Sequence, residues 1–233
     1  MSSSGKGQTL IKDETEIDYA WEKARNNMRG DRVKVIVEEF INFKSEITLL
    51  TIRQKKAETL FCSPIGHKQE NGDYIESWQP FYIDPGLLKD AEHISKLITD
   101  DLGGYGVFGV EFFVLENKVI FSELSPRPHD TGMVTMFTQK FSEYDLHARA
   151  ILDFTIPDIK LCKKGVSQVI LANKNAKGKF LIKGIENAFQ DKTIDIRIFG
   201  KPETKPFRRM GVILAINLKK AKEALSKIKV VNV

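Results

Sequence analysis

The helices of this chain are predicted from apolar residues that recur every three or four positions. The longest predicted helix, 84–102, begins with an Asp-Pro pair that supplies a cap and a first-turn proline, and it ends before a Gly-Gly pair. A shorter helix, 13–27, opens with Asp13 and Glu16 at the spacing of a capping box. Two more helices are predicted, at 143–152 and 219–228.

The strands are predicted from alternating or continuous apolar runs bounded by turn formers. These runs cover 33–39, 46–53, 59–66, 74–78, 107–115, 118–124, 166–172, 193–199 and 210–216. The order of elements predicts an α+β fold with mostly antiparallel strands. The composition shifts after Pro157, so we expect a domain boundary near residue 155.

Composition and charge narrow the class of protein. The 233 residues are 42% apolar and 29% charged, which is typical of a soluble globular protein. Cys62 and Cys162 match no zinc or redox spacing, and we expect reduced thiols. Because no apolar run approaches membrane-spanning length and no signal peptide is present, we expect a cytoplasmic protein without a membrane partner. The net charge of +5 lacks a basic stripe interleaved with aromatics, which argues against a nucleic-acid partner.

Two glutamates lie in the strongly apolar strands 107–115 and 118–124. A hairpin that turns about Asn117 would pair Glu111 with Glu123, about 5 Å apart between Cβ atoms. Strand alternation then places Glu123 on one face with Val119 and Phe121. Like charges so close are destabilising, and a divalent cation such as Mg²⁺ would offset them.

Two alternatives to this pairing stay open. A two-residue turn would shift the register and set Glu111 opposite Ser122. Either carboxylate could also face solvent at the surface of the sheet.

Two polar segments have the residue types that hold phosphate groups. Backbone N–H groups and a lysine in Ser2-Ser-Ser-Gly-Lys-Gly-Gln8 suit this role, although a disordered N-terminal tail fits the same composition. In the loop 200–209, Arg208 and Arg209 suit bidentate phosphate binding beside Lys201. A solubilising surface loop is the alternative there.

Six motifs follow one another along the chain. They are Ser3-Ser-Gly-Lys-Gly-Gln8, Val35-Ile-Val-Glu38, Glu46-Ile-Thr-Leu-Leu50, Gly103-Gly-Tyr-Gly-Val-Phe-Gly-Val-Glu111, Phe121-Ser-Glu-Leu-Ser-Pro-Arg-Pro-His-Asp-Thr-Gly-Met-Val134 and Phe199-Gly-Lys-Pro-Glu203. In this order they resemble the formate-dependent phosphoribosylglycinamide formyltransferases, a family of ATP-grasp enzymes. The Ser-Pro-Arg-Pro-His-Asp-Thr-Gly stretch is the most specific part, and it is also similar to carboxyaminoimidazole synthetases. The later Lys-Pro-Glu and Arg-Arg elements favour the formyltransferases.

The resemblance implies a partial ATP-grasp fold with a small C-terminal, mainly antiparallel β domain. Residues 1–37 would be a remnant of the lid subdomain, 38–155 the core subdomain with the Mg²⁺ and ATP site, and 156–233 the C-terminal domain. Members of the family carry an N-terminal domain ahead of the glycine-rich loop, and this chain begins directly before that loop. We therefore expect a fragment that is weak or inactive alone.

The resemblance also implies a reaction and its residues. ATP and Mg²⁺ would serve to activate formate as formyl phosphate, the amine of glycinamide ribonucleotide would then attack it, and the protein would be a homodimer. The nucleotide would be held by Ser3, Ser4, Gly5, Lys6, Gly7, Gln8, Glu38, Glu39, Phe40, Ile41 and Glu46. The remaining positions would be Glu111 and Glu123 for Mg²⁺, Asp130, Lys201, Arg208 and Arg209 for the ribonucleotide, and Arg127 for the transferring group.

Two other functions stay open. The chain could belong to another ATP-grasp carboxylate–amine ligase, such as carboxyaminoimidazole ribonucleotide synthetase. It could also be a non-catalytic nucleotide-binding or assembly module. His129 is expected to be a structural hydrogen-bonding residue.

Overall fold

A computed structural model of the chain describes residues 7–28, 33–70 and 73–233. They form two compact units. Unit 1 contains the described residues of Met1–Asn42 and Gln69–Tyr74, and unit 2 contains Phe43–Lys68 and Ile75–Val233. No helix within these ranges combines the length and the apolar character needed to cross a bilayer.

The described ranges contain six α-helices. They are α1 (Ile17–Asn26), α2 (Pro85–Leu102), α3 (Thr135–Thr138), α4 (Glu143–Ile151), α5 (Ile185–Ala188) and α6 (Leu218–Lys227). Three of them, α2, α4 and α6, begin at a side chain that caps the first turn. Asp84 accepts hydrogen bonds from two backbone N–H groups at the start of α2, and Asn217 caps α6. Ser142 and Asp145 form a capping box at α4.

The strands are predominantly antiparallel. They are β1 (Ser45–Arg53), β2 (Leu60–Phe61), β3 (Ile65–Glu70), β4 (Asp73–Gln79), β5 (Gly106–Val114), β6 (Val119–Ser125), β7 (Gly165–Leu171), β8 (Phe180–Lys183), β9 (Ile194–Ile198), β10 (Arg209–Ala215) and β11 (Lys229–Asn232). Eight of them follow the order β6-β5-β1-β3-β4-β7-β10-β9, β2 pairs with β1, and β8 with β11 makes a separate ribbon. The predicted α+β class is confirmed.

Helices cover both faces of β1 and β5 in unit 2. On one face Ile47 and Leu49 pack with Phe112 and with Leu87 of α2. On the other face Leu50, Ile52 and Val107 pack with Leu146 and Ala150 of α4. A third apolar cluster lies among β7, β9, β10 and α6. Because β1 is buried on both sides, its polar residue Thr48 faces the protein interior on the α4 side.

One predicted strand is wrong and another is divided. Residues 33–42 form no regular element, and Val35, Ile36 and Val37 are 41%, 77% and 88% exposed. An apolar run becomes a strand only when a neighbour supplies the ladder of hydrogen bonds, and the residue pattern does not supply one. The predicted strand 59–66 is two strands, β2 and β3, separated at Pro64, which has no N–H to donate.

The remaining differences concern short elements. Sequence periodicity did not predict α3, α5, β8 and β11, each of which has four residues. Four residues are about one helical turn and too few to establish a period, so their conformation depends on tertiary contacts.

Candidate active site

The predicted pairing of Glu111 with Glu123 is confirmed, but the hairpin reaches it by a different route. Leu115 N–H donates to Lys118 O at 3.0 Å, so the turn has two residues, and Val114 pairs with Val119 accordingly. A β-bulge then shifts the register between Glu111 and Phe112. The extra residue on β6 returns the two glutamates to opposite positions.

The bulge also corrects the predicted face of Glu123. Phe121 pairs with Phe112, whose ring it meets edge-on at 6.4 Å, and Val119 packs in the same cluster beside α2. Glu123 pairs with Glu111 and therefore lies on the opposite face from Phe121. Simple alternation fails here because the bulge adds one residue between them.

Three side chains converge where the β5–β6 ladder meets the loop after β6. His129 Nε2 lies 3.3 Å from Glu111 Oε1 and 4.0 Å from Glu123 Oε1. One donor atom from each of the three lies within 4.8 Å of the other two. Two carboxylates and an imidazole suit a divalent cation, because hard oxygen ligands bind Mg²⁺ and Mn²⁺ and imidazole nitrogen binds transition metals.

The buried ionisable groups of this cluster in unit 2 have pKa values far from their ordinary ones. Burial, together with the carboxylates of Glu123, Glu46 and Asp130, raises the pKa of Glu111 to about 8. Burial lowers the pKa of His129 to about 4 and that of His67 to about 4, so both imidazoles are neutral at physiological pH. A bound cation would favour the ionised form of Glu111, which is the electrostatic behaviour of a cation site.

Buried groups hold the loop after β6 in place. Glu143, the first residue of α4, accepts the backbone N–H of His129 at 2.7 Å. A Cβ on Gly109 would lie 2.7 Å from His129 Cβ, so glycine leaves the space that the imidazole needs. Ser77 Oγ donates to Thr131 O at 2.8 Å. Burial raises the pKa of Glu143 to about 8.

Only some of the predicted cationic residues lie near the cluster. Arg209, at the start of β10, forms an ion pair with Asp130, and its charge contributes to lowering the pKa of His129. Arg208 donates to Glu203 O at 2.9 Å within its own loop. Arg127 donates to Pro128 O at 2.8 Å and is exposed. Lys201 is half-buried in the loop after β9.

The predicted nucleotide residues are distributed over both units. Ser3, Ser4, Gly5 and Lys6 lie outside the described residues. In unit 1, Gln8 O accepts from Lys23 Nζ at 2.8 Å. Gly7 begins the described chain there, and the other predicted residues of unit 1 belong to the segment 33–42 without regular structure, namely Glu38, Glu39, Phe40 and Ile41. In unit 2, Glu46 is half-buried on β1, and burial raises its pKa.

Four residues of the site were not predicted from the sequence. They are Thr48, His67, Thr131 and Glu143. Thr48 could have been found, because it shares a face of β1 with Glu46 and a threonine in an otherwise apolar run needs a polar partner. Glu143 carried no signal, because acidic residues are ordinary at the first turn of a helix. His129 was expected to be structural, and the structure supplies the partners that the sequence could not name.

Comparison with known families decides the family of the chain. The model of the ATP-grasp domain matches residues 1–144, more than half of the sequence. The chain belongs to the ATP-grasp family. A second model, described as PurT, C-terminal, matches residues 165–231 of this ATP-grasp chain.

Individual proteins support the same relationship. A formate-dependent phosphoribosylglycinamide formyltransferase of Nostoc sp. strain PCC 7120 is 56% identical over 215 residues, which are 92% of this ATP-grasp chain and 55% of the relative. The chain thus spans about half the length of the curated relatives that it matches.

Solved ATP-grasp structures share the fold. N5-carboxyaminoimidazole ribonucleotide synthetase from Thermotoga maritima matches with a TM-score of 0.80 and 25% identity, covering 97% of this chain and 60% of the other. The glycinamide-RNase-transformylase T of Mycobacterium tuberculosis matches with a TM-score of 0.64 and 28% identity, covering 82% and 51% respectively. The expected ATP-grasp fold is therefore confirmed.

Proposed function

We propose that this chain is the ATP-grasp part of a formate-dependent phosphoribosylglycinamide formyltransferase of purine biosynthesis. Its substrates would be ATP, formate and glycinamide ribonucleotide, and formyl phosphate would be the intermediate that the ribonucleotide amine attacks. The whole reaction is proposed for a protein with the full length of the formyltransferase relatives, of which this chain spans about half. The high identity to named formyltransferases supports this assignment.

One observation carries the proposal. Glu111 and Glu123 lie opposite each other beside a neutral imidazole. The Arg209–Asp130 ion pair begins at the residue that follows this imidazole in the chain. ATP-dependent ligation needs a cation for the triphosphate and a positive charge for a phosphorylated substrate. Both kinds of group are present in unit 2.

We propose that Glu111 and Glu123 hold Mg²⁺. When bound, Mg²⁺ offsets negative charge on phosphate oxygens during phosphoryl transfer. The buried position of Glu111 restrains its carboxylate, whereas the side chain of Glu123 is 63% exposed and accessible to incoming ligands. The fit rests on donor type and on the burial and neighbouring carboxylates that raise the pKa of Glu111.

The nucleotide and substrate roles follow from residue chemistry. The half-buried Glu46 carboxylate suits the ribose hydroxyls of ATP, because a carboxylate accepts hydrogen bonds from both. The segment 38–41 would line the adenine through its backbone, and the loop 3–8 would contact the phosphates.

The cationic side chains of the loop 200–209 suit the ribonucleotide phosphate. Arg208, Arg209 and Lys201 would bind it, with Asp130 orienting Arg209 through their ion pair. Arg127 would stabilise the transferring group, and its exposed position at the cluster is compatible with that role. We also propose the division into 1–37, 38–155 and 156–233, a cytoplasmic location and a homodimer.

A second ATP-grasp function is favoured by one observation. The synthetase from Thermotoga maritima shares the fold over 97% of this chain with a higher TM-score than the mycobacterial transformylase. The alternative is therefore ATP-dependent carboxylation, with bicarbonate in place of formate.

The test is turnover with matched carboxylate donors. ADP release by the chain would be measured with Mg²⁺ and ATP, once with formate and glycinamide ribonucleotide and once with bicarbonate and aminoimidazole ribonucleotide. Labelled formate incorporated into the ribonucleotide is the expected result. Glu111→Gln is expected to abolish this turnover, and Glu116→Gln is its control, because Glu116 is an exposed carboxylate in the turn of the same hairpin.

The other outcomes decide between the remaining hypotheses. Bicarbonate-dependent turnover without formate-dependent turnover would reject the formyltransferase in favour of the synthetase. No turnover with either donor, even after the part of the Nostoc relative that this chain does not cover is fused to it, together with Mg²⁺-dependent binding of an ATP analogue, would favour a non-catalytic nucleotide-binding module.

A further inference from the structure

A chain of four buried groups runs beneath Glu111, from the loop after β6 to β3. His129 Nδ1 lies 2.9 Å from Thr131 Oγ1, Thr131 Oγ1 donates to Thr48 Oγ1 at 2.6 Å, and Thr48 Oγ1 lies 3.2 Å from His67 Nδ1. All four residues are less than 9% exposed. Buried polar atoms are hydrogen-bonded in native proteins, so each of the three contacts needs one proton.

Counting protons fixes the relation between the two imidazoles. The two threonine hydroxyls supply two of the three protons, and one imidazole Nδ1–H must supply the third. The other imidazole then accepts at Nδ1 and carries its proton on Nε2. The two rings therefore hold opposite tautomers, and the hydroxyl chain transmits this constraint between them.

The far nitrogens of both rings face the same carboxylate. His129 Nε2 lies 3.3 Å from Glu111 Oε1, and His67 Nε2 lies 3.9 Å from Glu111 Oε2. The hydroxyl chain can run in either direction, because a hydroxyl proton rotates to suit its partner. With Thr131 donating to Thr48, His129 is the Nδ1–H donor, which leaves its lone pair on Nε2. His67 then accepts from Thr48 and directs an Nε2–H towards Glu111.

We propose that this chain of hydrogen bonds makes His129 the third cation-binding residue beside Glu111 and Glu123, with Thr131 and Thr48 as positioning residues. The lone pair of Nε2 belongs to the group of three donor atoms that lie within 4.8 Å of one another. His67 turns its Nε2–H towards the other oxygen of the Glu111 carboxylate at 3.9 Å, which is beyond hydrogen-bond length. A ligand set with one nitrogen and two oxygens accepts Mn²⁺ as well as Mg²⁺.

The backbone reinforces this arrangement. The N–H of His129 is held by Glu143 at 2.7 Å, and Gly109 provides the space for the ring. Hydrogen bonds to the second nitrogen of a ligating histidine fix its tautomer and direction, and their loss typically lowers metal affinity by about 10- to 100-fold. The inference rests on the cation site of the proposed function, so its first test uses the cation-free chain.

The first experiment measures the tautomers by long-range ¹H–¹⁵N NMR of histidine-labelled chain near pH 7.5 in a chelator, with peaks assigned by single His→Gln variants. His129 is expected as the Nδ1–H tautomer and His67 as the Nε2–H tautomer. His147 is an internal reference, because its Nδ1 accepts from Val107 N–H at 3.1 Å, which requires Nε2–H. The same tautomer in His129 and His67, or the reversed pair, would overturn the proposal.

The second experiment titrates Mn²⁺ and follows the free ion by electron paramagnetic resonance. Thr131→Val is expected to weaken binding about ten-fold or more, and Thr131→Ser is expected to restore it because the hydroxyl returns. Thr99→Val is the matched control, since Thr99 is a buried threonine that donates to Ser95 O within α2. Equal affinities for the Thr131→Val and Thr99→Val variants would overturn the proposal.

The two experiments separate this inference from the proposed function. Opposite tautomers with no Mn²⁺ binding would reject the cation site itself, and with it His129 as a ligand. Identical tautomers, with ATP-analogue binding that still depends on Mg²⁺ and Glu111, would reject only the hydrogen-bonded chain.

Discussion

Two regions of unit 2 have opposite physical characters. The carboxylate–imidazole cluster (Glu111, Glu123, His129 and His67) is buried except for Glu123, and its two imidazoles are linked by hydrogen bonds through Thr131 and Thr48. The cationic loop (200–209) is largely exposed, and Arg208 donates only to a carbonyl of its own loop among the contacts described. A cation needs ligands held in fixed directions, whereas a flexible phosphorylated substrate needs charge within reach. The difference therefore matches the two kinds of ligand proposed for them.

The strongest test of this comparison is to change one residue in each region and to measure the effect on nucleotide binding. Glu111→Gln is expected to lower the Mg²⁺-dependent affinity for an ATP analogue by at least ~100-fold, because a cation ligand is lost. Arg209→Ala is expected to change that affinity by less than about three-fold. Calorimetric titration measures both. Equal losses for the two variants would show that the regions do not divide the ligands as proposed.

The second prediction concerns pH and carries the next largest effect. Glu111 and Glu143 have pKa values raised to about 8, above the ordinary value of 4.5. The folded state therefore binds more protons than the unfolded state, and the free energy of unfolding falls as pH rises from about 4.5 through 8. Each group contributes up to about 1.4 kcal/mol per pH unit.

The histidines act in the opposite direction at lower pH. His67 and His129 have pKa values lowered from 6.5 to about 4, so stability falls as pH drops through that interval. Urea unfolding in a chelator between pH 6.5 and 8 isolates the carboxyl contribution. We expect a decline with rising pH that Glu111→Gln reduces and Mg²⁺ flattens. A level profile for the wild-type chain would contradict the assigned pKa values.

The third prediction tests how tightly the cluster is packed. Gly109→Ala places a Cβ 2.7 Å from His129 Cβ, and overpacking of this kind costs about 1–3 kcal/mol. Urea unfolding measures the loss, and ¹⁵N shifts of His129 report whether the ring has moved. Thr51→Val is a suitable comparison, because Thr51 is buried on the adjacent strand and donates only a long, 3.4 Å bond to Leu49 O. If neither the free energy of unfolding nor the ¹⁵N shifts of His129 change, the loop after β6 accommodates the added methyl group without strain.

Much of this fold follows from periodicity, and the failures have identifiable causes. The helices α2 and α4 and the strands β5 and β6 were predicted because each combines a regular apolar pattern with a clear start or stop signal. The segment 33–39 has the same apolar character yet forms no strand, because strand pairing depends on distant residues.

The site was predictable at its two carboxylates and not beneath them. Glu111 and Glu123 are conspicuous in apolar strands, so the sequence indicated their pairing. Their observed register depends on a bulge that no residue of the turn predicts. Thr131 and His67 lie 64 positions apart in sequence and become related only through Thr48, so their hydrogen-bonded chain could emerge only from the folded sheet.

The last prediction has the smallest expected effect and returns to the cationic loop. Arg208→Ala is expected to weaken binding of glycinamide ribonucleotide by roughly ten-fold, since a charge-assisted hydrogen bond to phosphate is lost. Arg197→Ala is the control, because Arg197 is an exposed arginine of β9 that pairs with Asp195. Equilibrium titration at two salt concentrations measures the loss.

The salt dependence distinguishes a specific phosphate contact from general attraction. Charges in contact with solvent are screened, so the contribution of Arg208, whose contact with Glu203 O is exposed, should shrink between about 0.05 and 0.5 M salt. That of Arg209 should shrink less, because its partner Asp130 restrains it and its side chain is 29% exposed. If both variants lose affinity equally and lose it only at low salt, the loop attracts anions without positioning them. The contrast between a built cation site and a loosely held phosphate site would then be sharper.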